Sequence, residues 1–82
     1  MEIKLIGAGW CAPCKAVKTY LEQNYIEYEY LDIDEEETLE LTATYRIRSV
    51  PAIIKVGYDK DEIYVGSNID QIKAFLGGDI DS

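Results

Sequence analysis

The chain reads as an α/β domain with element order βαβαββα, a four-stranded mixed sheet flanked by three helices. Three observations predict it. Short runs in which apolar and polar residues alternate are interleaved with stretches whose apolar residues recur at helical spacing. Gly and Pro punctuate the joins. The last two strand-like runs lie too close together for a crossover, so they form a hairpin. Its 82 residues with 48% hydrophobic and 29% charged composition are read as one globular domain, residues 1–82, with a frayed tail at 79–82.

The first strand is "EIKLIGA", in which Ile3 and Leu5 alternate with Glu2 and Lys4 before Gly7 and Gly9 end it. A helix follows over 12–24, with Pro13 in its first turn, where the missing N–H costs nothing. Cys14, Val17, Tyr20 and Leu21 fall on one face of it. The second strand is read over 26–33, from Ile26, Tyr28 and Tyr30 alternating with Glu27 and Glu29. Glu35–Glu37 then suit the positive end of a second helix running to about Arg46. "PAIIKVGYDKDEIYVG" supplies the hairpin. Ser67 is read as the cap of a final helix carrying Ile69, Ile72, Phe75 and Leu76, closed by Gly77-Gly78.

Charge narrows the function classes. Sixteen acidic and eight basic residues give a net charge of −8, which repels phosphate backbones and anionic lipid, so neither nucleic acid nor membrane is an expected partner. The stretch Glu22–Glu40 holds nine acidic side chains and no basic one. It reads as a solvated face, with selection of partners by charge as the alternative. The start lacks a basic lead and a long apolar run, so a cytoplasmic home is expected. There a close Cys pair is catalytic or metal-binding more often than a structural staple.

The two cysteines lie in "GAGWCAPCKAV". At the junction of strand and helix, Cys11 is expected to cap the helix and stay open to water, with Cys14 one turn on and beneath it. The helix N-terminus stabilises a Cys11 thiolate by about 0.3–2 kcal/mol, and Lys15 and Lys18 add to that field. Cys11 is therefore the expected attacker, and Cys14 the thiol that resolves the mixed disulfide. Trp10 offers a flat apolar wall beside it. Structural zinc needs four ligands, and the chain has no third Cys and no His. A static disulfide this short would constrain little of the unfolded chain.

"GWCAPCK" resembles the active-site segment of the thioredoxin superfamily, with Ala12 where thioredoxins usually carry Gly. "DIDEEETLELTATYRIRSVPAIIKV" resembles the middle of a thioredoxin, and Gly66-Ser67 match a small-residue loop before its last helix. The likeness spans roughly residues 3–76. It implies that the Val50–Pro51 bond is cis and faces the sulfurs, with Trp10, Ala12, Pro13, Val50, Pro51, Gly66 and Ser67 around a bound client. Arg46 and Arg48 would lie near the sulfurs.

Two departures qualify the resemblance. The element order matches a glutaredoxin rather than a thioredoxin, whose extra N-terminal strand and helix are not in this sequence. Leu5 occupies the position where thioredoxins usually bury an Asp under the second Cys, so proton transfer at Cys14 needs water, another group or the substrate. Tyr30 could approach from the second strand, although a Tyr on a strand face is more often plain core.

The positions with which glutaredoxins bind glutathione hold Ala8 and Pro13 here, leaving the Val50-Pro51 backbone, Asp70 and Arg48 as its only handles. The resemblance therefore implies a protein-disulfide reductase of thioredoxin type with no bound cofactor beyond the Cys11–Cys14 disulfide; a monomer is assumed. An NADPH-dependent thioredoxin reductase would recycle it. A glutathione-dependent glutaredoxin, an electron donor to ribonucleotide reductase, and a docking module without redox turnover are the alternatives.

Overall fold

The computed structural model describes residues 2–77; the frayed tail expected at 79–82 and the closing role of Gly78 lie outside them. The elements are β1 (Glu2–Gly7), α1 (Ala12–Gln23), β2 (Glu29–Asp32), α2 (Glu36–Tyr45), β3 (Ala52–Val56), β4 (Glu62–Val65) and α3 (Ile69–Phe75). The sheet order is β2-β1-β3-β4. Within it β1 and β2 are parallel, while β3 runs antiparallel to β1 and to β4. The expected order and mixed sheet are both present.

Alternation along the strands sends side chains to two cores. Ile3, Leu5 and Ile53 meet Val17 and Leu21 of α1 and Ile72 of α3 on one face. Ile6, Ala52 and Ile54 meet Ile47, Leu41 and Tyr45 from α2 and its exit on the other. Leu5, Ile6, Ile53 and Ile54 are fully buried. Each such side chain contributes about 1.5–3 kcal/mol by leaving water. The two central strands, β1 and β3, therefore anchor the molecule.

β2 is shorter than the pattern implied, because Ile26 is used elsewhere. α1 closes with Tyr25 in the left-handed region (φ 56°). The Tyr25 N–H then donates to the Glu22 carbonyl and the Ile26 N–H to the Leu21 carbonyl. This paired closure satisfies the last carbonyls of the helix. α2 ends the same way, with Arg46 at φ 59° and the Ile47 N–H donating to Thr42. Register adds a second limit: β2 first pairs at Lys4 with Glu29, leaving Tyr28 before the ladder.

The cap of α3 is also one residue later than expected. Asn68, not Ser67, accepts the Gln71 N–H on its side chain, at 3.1 Å. At the other end the Lys55 ammonium donates to the Phe75 carbonyl at 2.6 Å, and lies 5.0 Å from the Phe75 ring centroid. A cation at a helix C-terminus is the favourable sign.

Tyr28 donates to Glu22 at 2.7 Å. Burial first, and that carboxylate second, push its pKa up to about 12 from 10.0. A folded-state pKa above the unfolded one gives stability that is complete below the unfolded value and lost as pH rises through the folded one.

Two outcomes follow from these contacts. In urea unfolding, Asn68→Ala is expected to cost about 1 kcal/mol, while Ser67→Ala stays within about 0.5 kcal/mol of the parent. Between about pH 10 and pH 12 the parent should lose stability more steeply than Tyr28→Phe, as measured by urea midpoints across that range.

Candidate functional site

The cysteine pair is set by the exit from β1. After Gly7 the chain turns through Ala8, Gly9 and Trp10, and the Cys11 N–H donates to the Ala8 carbonyl at 3.1 Å. Cys11 is extended (φ −100°, ψ 108°) and caps α1, with Pro13 in the first helical turn. Its sulfur accepts the Cys14 N–H at 3.1 Å. This is the N-cap geometry in which a side-chain acceptor satisfies a free helix N–H, with sulfur in place of the usual oxygen. The two sulfurs are joined as a disulfide, with the Cα atoms 5.2 Å apart.

One expectation fails. Cys11, expected to stand open to water, is only 5% exposed, and Cys14 is 2% exposed. Ala8, Ile33 and Val50 pack around the pair in this oxidised state. The access that remains is bordered by exposed neighbours: Trp10 at 73%, with Ala12, Pro13 and Lys15.

Cys14 approaches β1 closely because residue 7 has no side chain. A Cβ on Gly7 would stand 3.2 Å from Cys14 Cβ, 3.3 Å from its sulfur and 3.2 Å from Cε1 of Tyr30. Cys14 and the Tyr30 ring therefore share the space over Gly7. Leu5, two residues back on the same face, pairs across the ladder with Tyr30 and is fully buried.

Two depressions border the pair. The first, about 330 Å³, is lined by Trp10, Ile33, Arg48, Ser49 and Val50. The second, about 260 Å³, is lined by Ala8, Gly9, Cys14, Lys15, Lys18, Tyr30 and Asp32. The Lys18 ammonium lies 5.0 Å from the Tyr30 ring centroid. Burial, then Asp32 and Asp34, raise the Tyr30 pKa above its ordinary value.

The Val50–Pro51 bond is cis. The Gly66 N–H donates to the Pro51 carbonyl at 3.0 Å, which joins the loop before α3 to this turn. Gly66 has φ 144°, where only glycine rests easily, and a Cβ there would meet the Tyr64 hydroxyl at 2.9 Å. Ser67 is exposed beside it. Arg48 borders the first groove, whereas Arg46 serves to close α2.

Sequence reasoning missed Ile33 and Ser49 as groove residues. Ile33 lies one residue beyond β2 and is tied by its N–H to the Gly7 carbonyl at 2.8 Å. The alternation of Leu31 with Ile33 was the available signal. Among the described residues no group of three or more His, Cys, Asp or Glu is placed to hold a metal. No helix among them is long and apolar enough to cross a membrane.

The glutaredoxin family model matches residues 3–57, a span that holds both cysteines and the Val50–Pro51 turn. The chain belongs to the glutaredoxin family. It is a small glutaredoxin-like member of the thioredoxin superfamily, a redox protein whose Cys11 and Cys14 sit at disulfide distance.

Among curated relatives, thioredoxin H-type of Populus jackii is 30% identical over 80 residues, covering 92% of this chain and 57% of its own. The chain spans about half the length of the curated relatives it matches. Among solved structures, the thioredoxin-like protein BC3987 superposes with TM-score 0.72 at 25% identity, over 89% of this chain and 97% of that one. The glutaredoxin-like protein NrdH-redoxin of Escherichia coli shares the fold, with TM-score 0.72 at 23% identity, over 90% of this chain and 93% of its own.

Gly7→Ala tests the close approach. The added methyl must displace Cys14 or Tyr30, and overpacking of this kind costs about 1–3 kcal/mol. The expected outcome is a loss of that size in the oxidised protein, measured by urea unfolding, with Gly9→Ala far milder because nothing lies within 4 Å of a Cβ there.

Proposed function

We propose that the protein is a thiol–disulfide oxidoreductase that reduces protein disulfides by dithiol exchange, with Cys11 attacking and Cys14 resolving. The observation that carries this reading is the Cys14 N–H directed at the Cys11 sulfur at the start of α1. A hydrogen bond to a charged acceptor is worth about 1.5–3 kcal/mol against about 0.5–1.5 kcal/mol for a neutral one. The helix end therefore favours the thiolate of Cys11 over its thiol.

The reduced protein begins the cycle. The Cys11 thiolate attacks one sulfur of a client disulfide, and the other client sulfur leaves as a thiolate that takes a proton from water. Cys14 then loses its proton and attacks the Cys11 sulfur. The Cys11–Cys14 bond forms, the bond from Cys11 to the client breaks, and the second client thiolate leaves. Two electrons pass from the pair to the client. An NADPH-dependent thioredoxin reductase would return them.

Trp10, Ala12 and Pro13, with Val50, Pro51, Gly66 and Ser67, are the proposed contacts for an extended client segment, and Arg48 supports them. Val50 and Trp10 line the first groove. Lys15 and Lys18 support the site electrostatically. A cytoplasmic location and a monomeric state complete the reading. The redox pair needs no bound cofactor.

Glutathione as the electron donor is the second reading, favoured by Arg48, a cation beside the groove. Against it, the residue three before Cys11 is the buried Ala8. NrdH-redoxin is described as a glutaredoxin-like protein with a thioredoxin-like activity profile, which is the profile proposed here, and a ribonucleotide reductase is one client to try.

Insulin disulfide reduction with alternative recycling systems tests the proposal. Turnover is expected with NADPH and a thioredoxin reductase from a panel of such enzymes. Cys11→Ser should abolish it, and Cys14→Ser should accumulate the mixed disulfide on Cys11, seen by mass spectrometry. Turnover with glutathione and glutathione reductase alone, and with no thioredoxin reductase, would overturn the preference.

A further inference from the structure

The resolving step needs the Cys14 thiol to lose a proton, and Cys14 is 2% exposed. The strand beside it brings the bare Gly7 and, two residues back on the same face, the buried apolar Leu5. The cleft of about 260 Å³ that has Cys14 in its wall is where the thiol and water can meet. Its ionisable groups come from two elements: Lys15 and Lys18 from α1, and Tyr30 and Asp32 from β2. Arg48 lines the other groove.

Tyr30 and Lys18 divide the work by chemistry. The raised pKa of Tyr30 keeps its hydroxyl protonated and neutral at working pH, so it is not the base. Its ring does two other things: it packs over Gly7 beside Cys14, and it seats the Lys18 ammonium 5.0 Å from its centroid. A cation over a ring face is attracted by the ring's negative face. That biases a long side chain toward one position. Asp32 opposes it in sign, and one of its carboxylate oxygens accepts the Asp34 N–H at 2.8 Å.

We propose that this cleft is the proton-exchange route of Cys14, with Lys18, seated on the Tyr30 ring, as the cation that stabilises the Cys14 thiolate as it forms. Tyr30 is a positioning residue. During resolution the Cys14 proton passes to water in the cleft, and the thiolate attacks the Cys11 sulfur. The client leaves as a thiolate that is reprotonated from bulk water. Atoms and electrons balance without a further reagent. The inference rests on the dithiol reading above, because Cys14 must resolve for its proton to matter.

Stopped-flow mixing of the reduced protein with dithiodipyridine, an uncharged disulfide with a coloured leaving group, separates the steps. Attack by Cys11 gives the first release and resolution by Cys14 the second. Lys18→Met is expected to slow the second release at neutral pH by about threefold and to move its pH midpoint upward, as for loss of one partly screened charge. Lys18→Arg should restore the midpoint. Tyr30→Leu, which removes the seat, should move it in the same direction as Lys18→Met, and Asp32→Asn in the opposite one. Concentrated salt should narrow the gap between parent and Lys18→Met, which a purely structural effect would not do.

An unchanged midpoint in Lys18→Met, or one displaced equally at all salt concentrations, would overturn the proposal. Absence of a second release in the parent would instead overturn the dithiol reading, and this inference with it.

Discussion

A single backbone amide does most to organise the cysteine site: the Cys14 N–H that points at the Cys11 sulfur. For Cys11 to receive it, residue 11 must be extended and the helix must start at Ala12, which Pro13 in the first turn favours. Cys14 must also lie hard against β1, which the bare Gly7 allows. In the oxidised state this contact caps the helix. On the proposed reading, the same amide is the donor offered to a Cys11 thiolate once the pair is reduced.

The pair is held between two environments that suit its two sulfurs. Val50 and Ile33 close an apolar contact over the cysteines, and Trp10, Arg48 and Ser49 extend it into a groove. Cys14 alone borders the second cleft, where lysines and Asp32 set the charge. The body carries net charge −8, so its few cations matter more where they gather. Three of the eight basic residues, Lys15, Lys18 and Arg48, line one or other of these depressions.

What could be read from the sequence was what local pattern encodes. The seven elements and their order follow from apolar periodicity, and the N-cap position of Cys11 follows from its place before Ala12-Pro13. What could not be read depended on distant partners or on competition among neighbours. Cys11 is buried because Val50, far along the chain, folds over it. Ser67 and Asn68 are both good caps, and the choice of Asn68 was decided by where Ile69 and Ile72 meet the core. β2 loses Ile26 to the closure of α1, which needs a left-handed Tyr25 that no pattern announced. The cis bond at Val50–Pro51 was reached through resemblance, since an isolated Val-Pro gives no reason to prefer it.

Ionisation of the two thiols in the reduced protein tests the account most directly. Ultraviolet thiolate absorbance followed against pH, with each cysteine replaced in turn by serine to assign the steps, would give both values. The account predicts that Cys11 ionises at lower pH than free cysteine, about 8.5, and at lower pH than Cys14. A Cys11 thiol that ionises no earlier than free cysteine, or later than Cys14, would contradict it.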